Sequence, residues 1–399
     1  MNVKGVINVK PTNHRKCTIK NPFISGKWRS DYTPFFCNLL TDNPELKNIF
    51  NPTNQQDGAQ ARALADAVFA YANNLENLEA LLPAVARIAH KHVSLGVKPE
   101  QYPIIGGALL SAIQEVAELP DNHPALTAWG EAYGVLADVF IKAEEELYQQ
   151  NEQQTGGWRG FRDFAISEVK RETGNVKSFY LTPMDGGPVP AFKDGQYVGL
   201  KTALKDQTFT QIRQYSLSGP SNLETLRITT KAEPEGLVSN YLHQCEEGTT
   251  VSIQAPTGVF NLDNSVENHI FIAGGVGITP LVGMLYEALN KDIEANKILF
   301  IEAQNSPDDE IFKSELAHLQ AKHGFNYMTQ FSGHDEKNYV DVSKLKAACD
   351  EVGIKPENNT AVYFCGTKPF MSAMKQCCLT LGTAEQHIHY ETFGPTTAL

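Results

Sequence analysis

The hydrophobic side chains between residues 43 and 150 recur at steps of three and four residues, the spacing of one face of a helix. One such run extends from Leu78 to His92, and a second extends from Leu126 to Tyr148. Neither run alternates with the two-residue period of a half-buried strand. We therefore expect an all-helical domain over residues 1–150, followed by a polar, glycine-bearing linker at residues 151–160.

From residue 163 the pattern changes to short runs of strand-forming residues separated by turn residues. Several short strands within about 100 residues are typical of a small antiparallel β-barrel, which we place at residues 158–266. The predicted strands are Val176–Leu181, Gln196–Leu200, Gln214–Leu217, Leu226–Thr230 and Thr250–Gln254.

From His269 onward, predicted strands alternate with predicted helices, and the first of these helices begins at Leu281. The alternation predicts an α/β doubly wound, mostly parallel sheet over residues 267–399. The predicted strands are Ile270–Ala273, Lys297–Ala303, Asn326–Phe331 and Ala361–Cys365. The chain is thus expected to be multidomain, with an all-α domain, an antiparallel β-barrel and an α/β domain in that order.

The composition narrows the class of protein. Hydrophobic residues make up 42% and charged residues 20% of the chain, as in ordinary globular proteins. A net charge of −12 argues against nucleic acid and anionic membranes as partners. The longest apolar stretch, residues 269–286, is broken by glycines and Pro280, so no integral membrane segment is expected. Seven scattered cysteines, with no Cys-x-x-Cys pair and no apolar secretion signal, favour free thiols and a cytoplasmic location.

A glycine-rich turn follows the first strand of the C-terminal domain and opens a helix. Glycines let the backbone approach a pyrophosphate, and the free amides of a helix N-terminus attract its charge. The spacing is not the standard G-x-G-x-x-G, and a turn that needs glycine only for packing is equally consistent with it. The next predicted strand ends near Asn305, and the next basic residue is Lys313, so we predict NADH rather than NADPH. The residues predicted to contact the dinucleotide are Gly275, Val276, Gly277, Ile278, Thr279 and Pro280.

The barrel region carries a second candidate, Arg213-Gln214-Tyr215-Ser216, with Gly236-Leu237-Val238-Ser239-Asn240 about 20 residues later. Arg213 can clamp a phosphate, Ser239 can cap a pyrophosphate, and Tyr215 and Ser216 can contact a flavin. The four residues alone are more typical of a core strand that bears a half-exposed arginine.

Three further motifs follow the two barrel motifs: the glycine turn, Cys365-Gly366-Thr367-Lys368-Pro369 and Phe393-Gly394. Together the five motifs occur in the order found in the ferredoxin–NADP reductase family. Residues 158–399 resemble that family. The resemblance implies an FAD barrel, then a nicotinamide domain, with hydride passing from NAD(P)H to FAD. The residues that it implies for FAD are Tyr197, Arg213, Gln214, Tyr215, Ser216, Thr392, Phe393, Gly394 and Pro395.

In the helical domain, His92 lies on the apolar face, whereas His90 is about 200° further round the helix and is expected to face solvent. The two histidines therefore cannot hold one metal ion. His92 by itself is more typical of a core histidine than of a ligand. However, residues 43–148 resemble the globin domain of bacterial flavohaemoglobins, from Asn43-Pro44-Glu45-Leu46-Lys47 through His92 to Phe140. With the reductase half, the chain is similar to the nitric oxide dioxygenases of the flavohaemoprotein family.

The globin resemblance implies roles for single residues. His92 would be the proximal ligand of haem b iron, and Tyr102 and Glu144 its catalytic hydrogen-bonding partners. A carboxylate–histidine–metal relay raises electron density at the iron. Tyr102 and Glu144 could instead be surface residues, and Lys91 and Glu391, which match positions at the haem–flavin junction, could be exposed charges. Phe50 would stack against the porphyrin, and Gln60 and Leu64 would form the distal wall. Phe36 would lie in the distal pocket as well.

Two departures from the family concern the N-terminus. Phe36 stands where the family has a tyrosine and cannot donate a hydrogen bond to dioxygen, so dioxygen affinity could fall by roughly one to two decades. Residues 1–33, which are basic, do not resemble the family's first helix. We hypothesise a reading-frame artefact, with divergence or a solvated tail as alternatives. An uninterrupted frame on resequencing the coding DNA would end the artefact hypothesis.

The resemblance implies a monomeric electron relay from NADH through FAD and haem to dioxygen, with nitric oxide and dioxygen as substrates and detoxification as the function. One alternative is an NADH-flavin reductase whose globin domain lacks haem. Another is an oxygen carrier or sensor, although a carrier would not need a fused electron donor.

Overall fold

The computed structural model describes residues 33–50, 67, 70–71, 74, 77–205, 207–221, 224–333, 335–357 and 359–394. The N-terminal part is helical, as the spacing of apolar residues predicts, and its described residues contain no strand. The α-helices whose bounds lie within the described residues are α1 (Thr33–Asp42), α2 (Leu82–Leu95), α3 (Gln101–Val116) and α4 (Pro124–Gln153).

Two apolar clusters hold these helices together. Leu39 and Leu46 pack against Leu109 and Ile113 of α3 in one cluster. The other cluster joins α2 to α4 around Ala89, Val93, Phe140 and Ala143, and it contains the base of the candidate site. Helix α2 ends at Gly96, whose φ of 71° is readily adopted by glycine, and α4 begins where His123 Nδ1 accepts from the Ala125 amide at 3.2 Å. Helix α4 also continues three residues into the predicted linker, since no glycine or proline occurs before Gly156.

A six-stranded antiparallel sheet follows, in the order β4-β3-β6-β1-β2-β5. A bridge between Leu217 and Ile228 connects the two ends of this sheet, which closes it into the predicted barrel around a buried apolar core. Strand β1 was not predicted, since polar and charged residues interrupt its apolar positions. The strands are β1 (Arg162–Arg171), β2 (Val176–Pro183), β3 (Tyr197–Thr202), β4 (Gln211–Ser216), β5 (Leu226–Lys231) and β6 (Thr250–Ile253), with helix α5 (Leu237–Gln244).

The C-terminal part is a five-stranded parallel sheet in the order β11-β10-β7-β8-β9, with a buried apolar cluster on each face. This confirms the doubly wound arrangement. The strands are β7 (Asn268–Gly274), β8 (Ile298–Gln304), β9 (Asn326–Phe331), β10 (Thr360–Cys365) and β11 (Ile388–Glu391). The helices are α6 (Ile278–Asn290), α7 (Lys313–His323), α8 (Val342–Val352) and α9 (Lys368–Thr380).

Two further predictions can be compared with the structure. Helix α6 begins at Ile278, three residues before the predicted start, because a 3-10 turn at Gly275–Gly277 leads directly into it. Five cysteines among the described residues are free, as predicted, and they are also buried: Cys245, Cys349, Cys365, Cys377 and Cys378. None of the helices in the described ranges combines the length and apolar character that crossing a bilayer requires.

Candidate functional site

His92 is held by two residues from neighbouring helices. Its Nδ1 atom lies 2.7 Å from Oε1 of Glu144 on α4 and 2.9 Å from the hydroxyl of Tyr102 on α3. The Tyr102 hydroxyl donates to the same Oε1 atom. Glu144 is 3% exposed and Tyr102 is 8% exposed, so the alternative that they are surface residues is wrong.

The protonation of this trio follows from its surroundings. Burial and the adjacent Glu144 carboxylate raise the pKa of Tyr102 well above its usual range, so the phenol keeps its proton and donates it. His92 then places its ring proton on Nδ1, toward the carboxylate. Within the described part of the chain, no residue forms a hydrogen bond to Nε2 of His92, and the side chain is 30% exposed. This arrangement suits a metal ligand, because Nε2 has no hydrogen-bond partner among the described residues and a carboxylate lies behind Nδ1.

His90 does not face solvent, so that expectation is wrong. It is 8% exposed, and its Nδ1 accepts from the Gly258 amide at 2.9 Å and contacts the Thr257 hydroxyl. Burial, with a smaller contribution from the charge of Lys193, lowers the pKa of His90 to about 4. The polar face of α2 is covered by the barrel, which the spacing of apolar residues in α2 does not reveal.

The same face of α2 contacts the strands that carry the flavin motif. The Gln214 side-chain amide donates to Ser94 Oγ at 2.6 Å. A Cβ at Gly199, opposite Gln214 across the β3–β4 pair, would overlap the Ser94 carbonyl oxygen. Glycine at position 199 therefore permits the helix that carries His92 to lie directly on strands β3 and β4.

The predicted flavin residues lie on those two strands. Tyr197 is paired directly with Ser216, while Tyr215 packs against the barrel core. The Arg213 guanidinium donates to the Ile212 carbonyl oxygen at 2.8 Å and to the Gln211 side chain at 3.4 Å. Burial lowers the pKa of Arg213, and no carboxylate among the described residues is paired with it. A half-buried cation without a carboxylate suits a phosphate group of FAD. In contrast, Ser239 accepts from the Glu233 amide at 3.3 Å and donates to the Gly236 carbonyl oxygen at 3.3 Å, so it is already engaged locally.

The geometry of the glycine turn is consistent with both roles considered from the sequence, packing and an approach to a pyrophosphate. A Cβ at Gly277 would overlap the Cys365 carbonyl oxygen, so this glycine serves packing. Gly275 has a φ of 56°, and the position of its missing Cβ has no neighbour within 4 Å. No side chain from the described residues caps α6, and Thr279 donates its hydroxyl to the Val276 carbonyl oxygen. The turn is thus an open cradle at a helix N-terminus, which suits a pyrophosphate.

Lys91 and Glu391 meet at the junction of the three parts, so their interpretation as simple exposed charges is wrong. Lys91 Nζ donates to the Gly394 carbonyl oxygen at 2.6 Å. Burial lowers the pKa of Lys91 and the Glu391 charge raises it, while burial raises the pKa of Glu391. Both residues line a cavity of about 320 Å³, together with Tyr197, His389 and Thr392.

The remaining predicted residues are placed as follows. Phe50 packs beside the cluster around Phe35, and Phe393 is 51% exposed. Phe36 belongs to α1, but its side chain lies outside the described residues, as do Gln60, Leu64 and Pro395.

Similarity to known proteins extends over nearly the whole chain. A globin family model matches residues 33–140, an oxidoreductase FAD-binding domain matches residues 164–262, and an oxidoreductase NAD-binding domain matches residues 271–376. The flavohemoprotein of Oceanobacillus iheyensis is 40% identical over 407 residues, which covers 99% of this chain and 98% of the relative. The chain belongs to the flavohaemoprotein family. The flavohemoprotein of Bacillus subtilis is also 40% identical, over 92% of each chain.

Solved structures agree with the family assignment. The flavohemoglobin of Malassezia yamatoensis, crystallised with bound FAD and heme, has 26% identity and a TM-score of 0.77, covering 93% of this chain and 99% of that one. The FAD/NAD-binding domain of the nitric oxide dioxygenase of Vibrio cholerae has 32% identity and a TM-score of 0.53, covering 59% of this chain and 100% of that one. This flavohaemoprotein is accordingly an NAD(P)H oxidoreductase whose cofactors are haem and FAD.

The sequence does not indicate several residues with which the flavohaemoprotein's domains contact one another. Ser94, Thr257 and Thr210 are small polar residues without a motif. The Thr210 amide donates to the Asn48 side chain at 2.9 Å, which ties the barrel to the globin domain. The one available signal was Gly199, a glycine within a predicted strand, which marks a close approach of another backbone.

Proposed function

We propose that this flavohaemoprotein is a nitric oxide dioxygenase that detoxifies nitric oxide. The reaction is 2 NO + 2 O₂ + NAD(P)H → 2 NO₃⁻ + NAD(P)⁺ + H⁺. The observation that carries the proposal is the His92–Glu144–Tyr102 arrangement on a helix that lies directly against the candidate flavin strands. Support also comes from the resemblance of the reductase half to the Vibrio cholerae nitric oxide dioxygenase. A simple oxygen carrier would have no use for such a contact between a haem helix and a reductase.

In this proposal His92 Nε2 holds the haem b iron. Glu144 keeps the proton on Nδ1 and orients the ring, and Tyr102 fixes the carboxylate by donating to it. When bound, the haem supplies the iron at which nitric oxide and dioxygen react, and FAD converts a two-electron hydride into single electrons. Phe50, Phe36, Gln60 and Leu64 would form the distal side of the pocket.

We also propose residues for the flavin site and for its junction with the haem site. Arg213 binds a phosphate of FAD, and Tyr197, Gln214, Tyr215 and Ser216 hold the flavin at the face of the barrel that contacts α2. Residues 392–395 close the site, and Lys91 with Glu391 sets its charge. The proposed domain division is 1–150, 158–266 and 267–399.

For the dinucleotide, Gly275 to Pro280 hold the pyrophosphate. The turn after β8 has two acidic residues, the exposed Asp308 and the half-buried Asp309, and the next basic residue is Lys313. Carboxylates at this place disfavour a 2′-phosphate, which supports the proposed preference for NADH.

The test is aerobic nitrate production from nitric oxide with purified protein and NADH. We expect stoichiometric nitrate, a Soret band and flavin absorption. The His92→Ala variant should lose the Soret band and nitrate production but keep NADH-driven flavin reduction, whereas His318→Ala, an exposed histidine on α7, should resemble the wild type. Flavin absorption without haem would support the reductase alternative. Haem that NADH does not reduce would support a carrier or sensor.

A further inference from the structure

A second group of metal-ligating side chains lies in the C-terminal part, at the sequence His387-Ile388-His389. Nδ1 of His387 lies 3.0 Å from Oδ2 of Asp263, and Nε2 of His389 lies 3.5 Å from the same oxygen. The three ligand atoms all lie within 4.8 Å of one another. This cluster is separate from His92 and from the glycine turn.

An ordinary hydrogen bond explains the contact of Asp263 with His387 but not its contact with His389. His387 donates to Asp263 with good geometry. Nε2 of His389 is buried and forms no hydrogen bond within the described part of the chain, although it faces the same carboxylate oxygen. A buried polar nitrogen without a well-aligned partner is unfavourable, and a cation bound between it and the carboxylate would satisfy both groups.

The other oxygen of the Asp263 carboxylate, Oδ1, is held by hydrogen bonds. Oδ1 of Asp263 accepts from the amide and the hydroxyl of Ser265, at 2.9 and 2.5 Å. These bonds direct Oδ2 toward the two histidines. The ring of His389 stacks on Tyr363 at a centroid distance of 5.0 Å, and the Tyr363 hydroxyl accepts from the Asp263 amide at 2.8 Å. Such outer contacts orient the ligands of metal sites.

We propose that Asp263, His387 and His389 form a binding site for a divalent transition-metal ion of the zinc type. Two histidines and one carboxylate are a common ligand set for such ions. Ligand atoms about 2.0–2.1 Å from a tetrahedral ion are separated by about 3.3 Å, and the two observed separations of 3.0 and 3.5 Å bracket this value. The side chains are 17–28% exposed, which leaves a route for the ion and a position for a water ligand.

The place of the site in the fold indicates what the ion does. Asp263 belongs to the connection between β6 of the barrel and β7 of the parallel sheet, whereas His389 belongs to β11, which ends at Glu391. An ion at this point clamps that connection to the strand leading to the flavin–haem junction. This inference does not depend on nitric oxide as the substrate.

The test uses the full-length, haem- and FAD-loaded protein, freed of loosely bound metal and dialysed against Zn²⁺. We expect one zinc ion per chain by elemental analysis, with X-ray absorption showing nitrogen and oxygen ligands at about 2.0–2.1 Å. The variants His387→Ala and Asp263→Asn should weaken zinc binding by at least about tenfold, the lower bound for losing even a supporting partner. His318→Ala is the matched control and should bind zinc as the wild type does.

Three results would overturn the proposal. One is unchanged zinc affinity in both site variants while their haem and FAD contents confirm folding. Another is a sulfur shell at about 2.3 Å, which would place the ion at cysteines such as Cys377 and Cys378. The third is zinc binding that His318→Ala weakens as much as His387→Ala.

Discussion

The buried carboxylate of Glu144 is stable at its position because of its donors. A carboxylate in an apolar helix interface is costly unless hydrogen bonds compensate it. Here a single oxygen receives the Tyr102 hydroxyl and the Nδ1–H of His92, and hydrogen bonds to a charged group contribute about 1.5–3 kcal/mol each. The carboxylate therefore stabilises the α2–α3–α4 contact, and in the proposed haem site it would increase the electron donation of His92 to the iron.

Glu144→Gln tests this role because glutamine has the same shape but no charge. We expect haem to be retained, with a lower iron–histidine stretching frequency by resonance Raman spectroscopy. We also expect the haem midpoint potential to rise by on the order of 50–100 mV. Glu145→Gln, which loses only the exposed ion pair with Arg159, is the control and should change neither value. Equal frequencies and potentials in the two variants would contradict the assignment.

At the scale of elements, α2 has functional contacts on two faces. One face carries His92 toward α3 and α4, and the other places His90 and Ser94 against the barrel. His90 acts there as a neutral acceptor for the Gly258 amide, so the contact depends on the histidine remaining unprotonated. Protonation would leave two donors facing each other.

This contact predicts a pH dependence of stability. Burial lowers the pKa of His90 from 6.5 to about 4, so below about pH 6.5 the unfolded chain binds a proton that the folded protein does not. The contribution of neutral His90 to the free energy of unfolding is therefore complete above about pH 6.5 and is lost as the pH falls toward 4. The loss between pH 6.5 and pH 5 is about 2 kcal/mol.

His90→Asn keeps an acceptor near the position of Nδ1 but does not titrate. We expect its thermal unfolding midpoint to fall less steeply between about pH 7 and pH 5 than that of the wild type. Parallel curves for the two proteins would show that the Gly258 contact is not sensitive to pH in this way.

At the scale of the whole molecule, the C-terminal segment returns to the globin domain. Lys91 of α2 donates to Gly394, just after β11, so the N-terminal and C-terminal parts meet beside the candidate flavin residues. The globin, the barrel and the parallel sheet thus share one junction. The proposed electron transfer between the reductase and globin parts would require this junction to be held in place.

Lys91→Met removes the donor while keeping much of the apolar stem. We expect NADH to reduce the flavin at the normal rate but haem reduction to slow by about ten- to a hundredfold, since small displacements have large kinetic effects. Stopped-flow absorption separates the two steps. Lys98→Met, at an exposed position after α2, should behave as the wild type does. A matching slowdown of flavin reduction would mean that Lys91 acts in the reductase itself.

The sequence by itself determined the element types, the three-part fold and the family. Helical and strand periodicities are local, since residues three, four or two apart report which face of an element is buried. The His92, Arg213-Gln214-Tyr215-Ser216 and glycine-turn motifs are local as well. Strand β11 was missed because four residues are too few to show a period.

The tertiary structure decided what these parts touch. Local spacing does not predict the burial of His90. It also does not predict three contacts: Ser94 with Gln214, Lys91 with Gly394, and Asp263 with His387 and His389. Each joins residues more than 100 positions apart in the chain. Such contacts arise from how whole domains dock, and a periodic pattern records only that a face is polar, not whether water or another domain covers it.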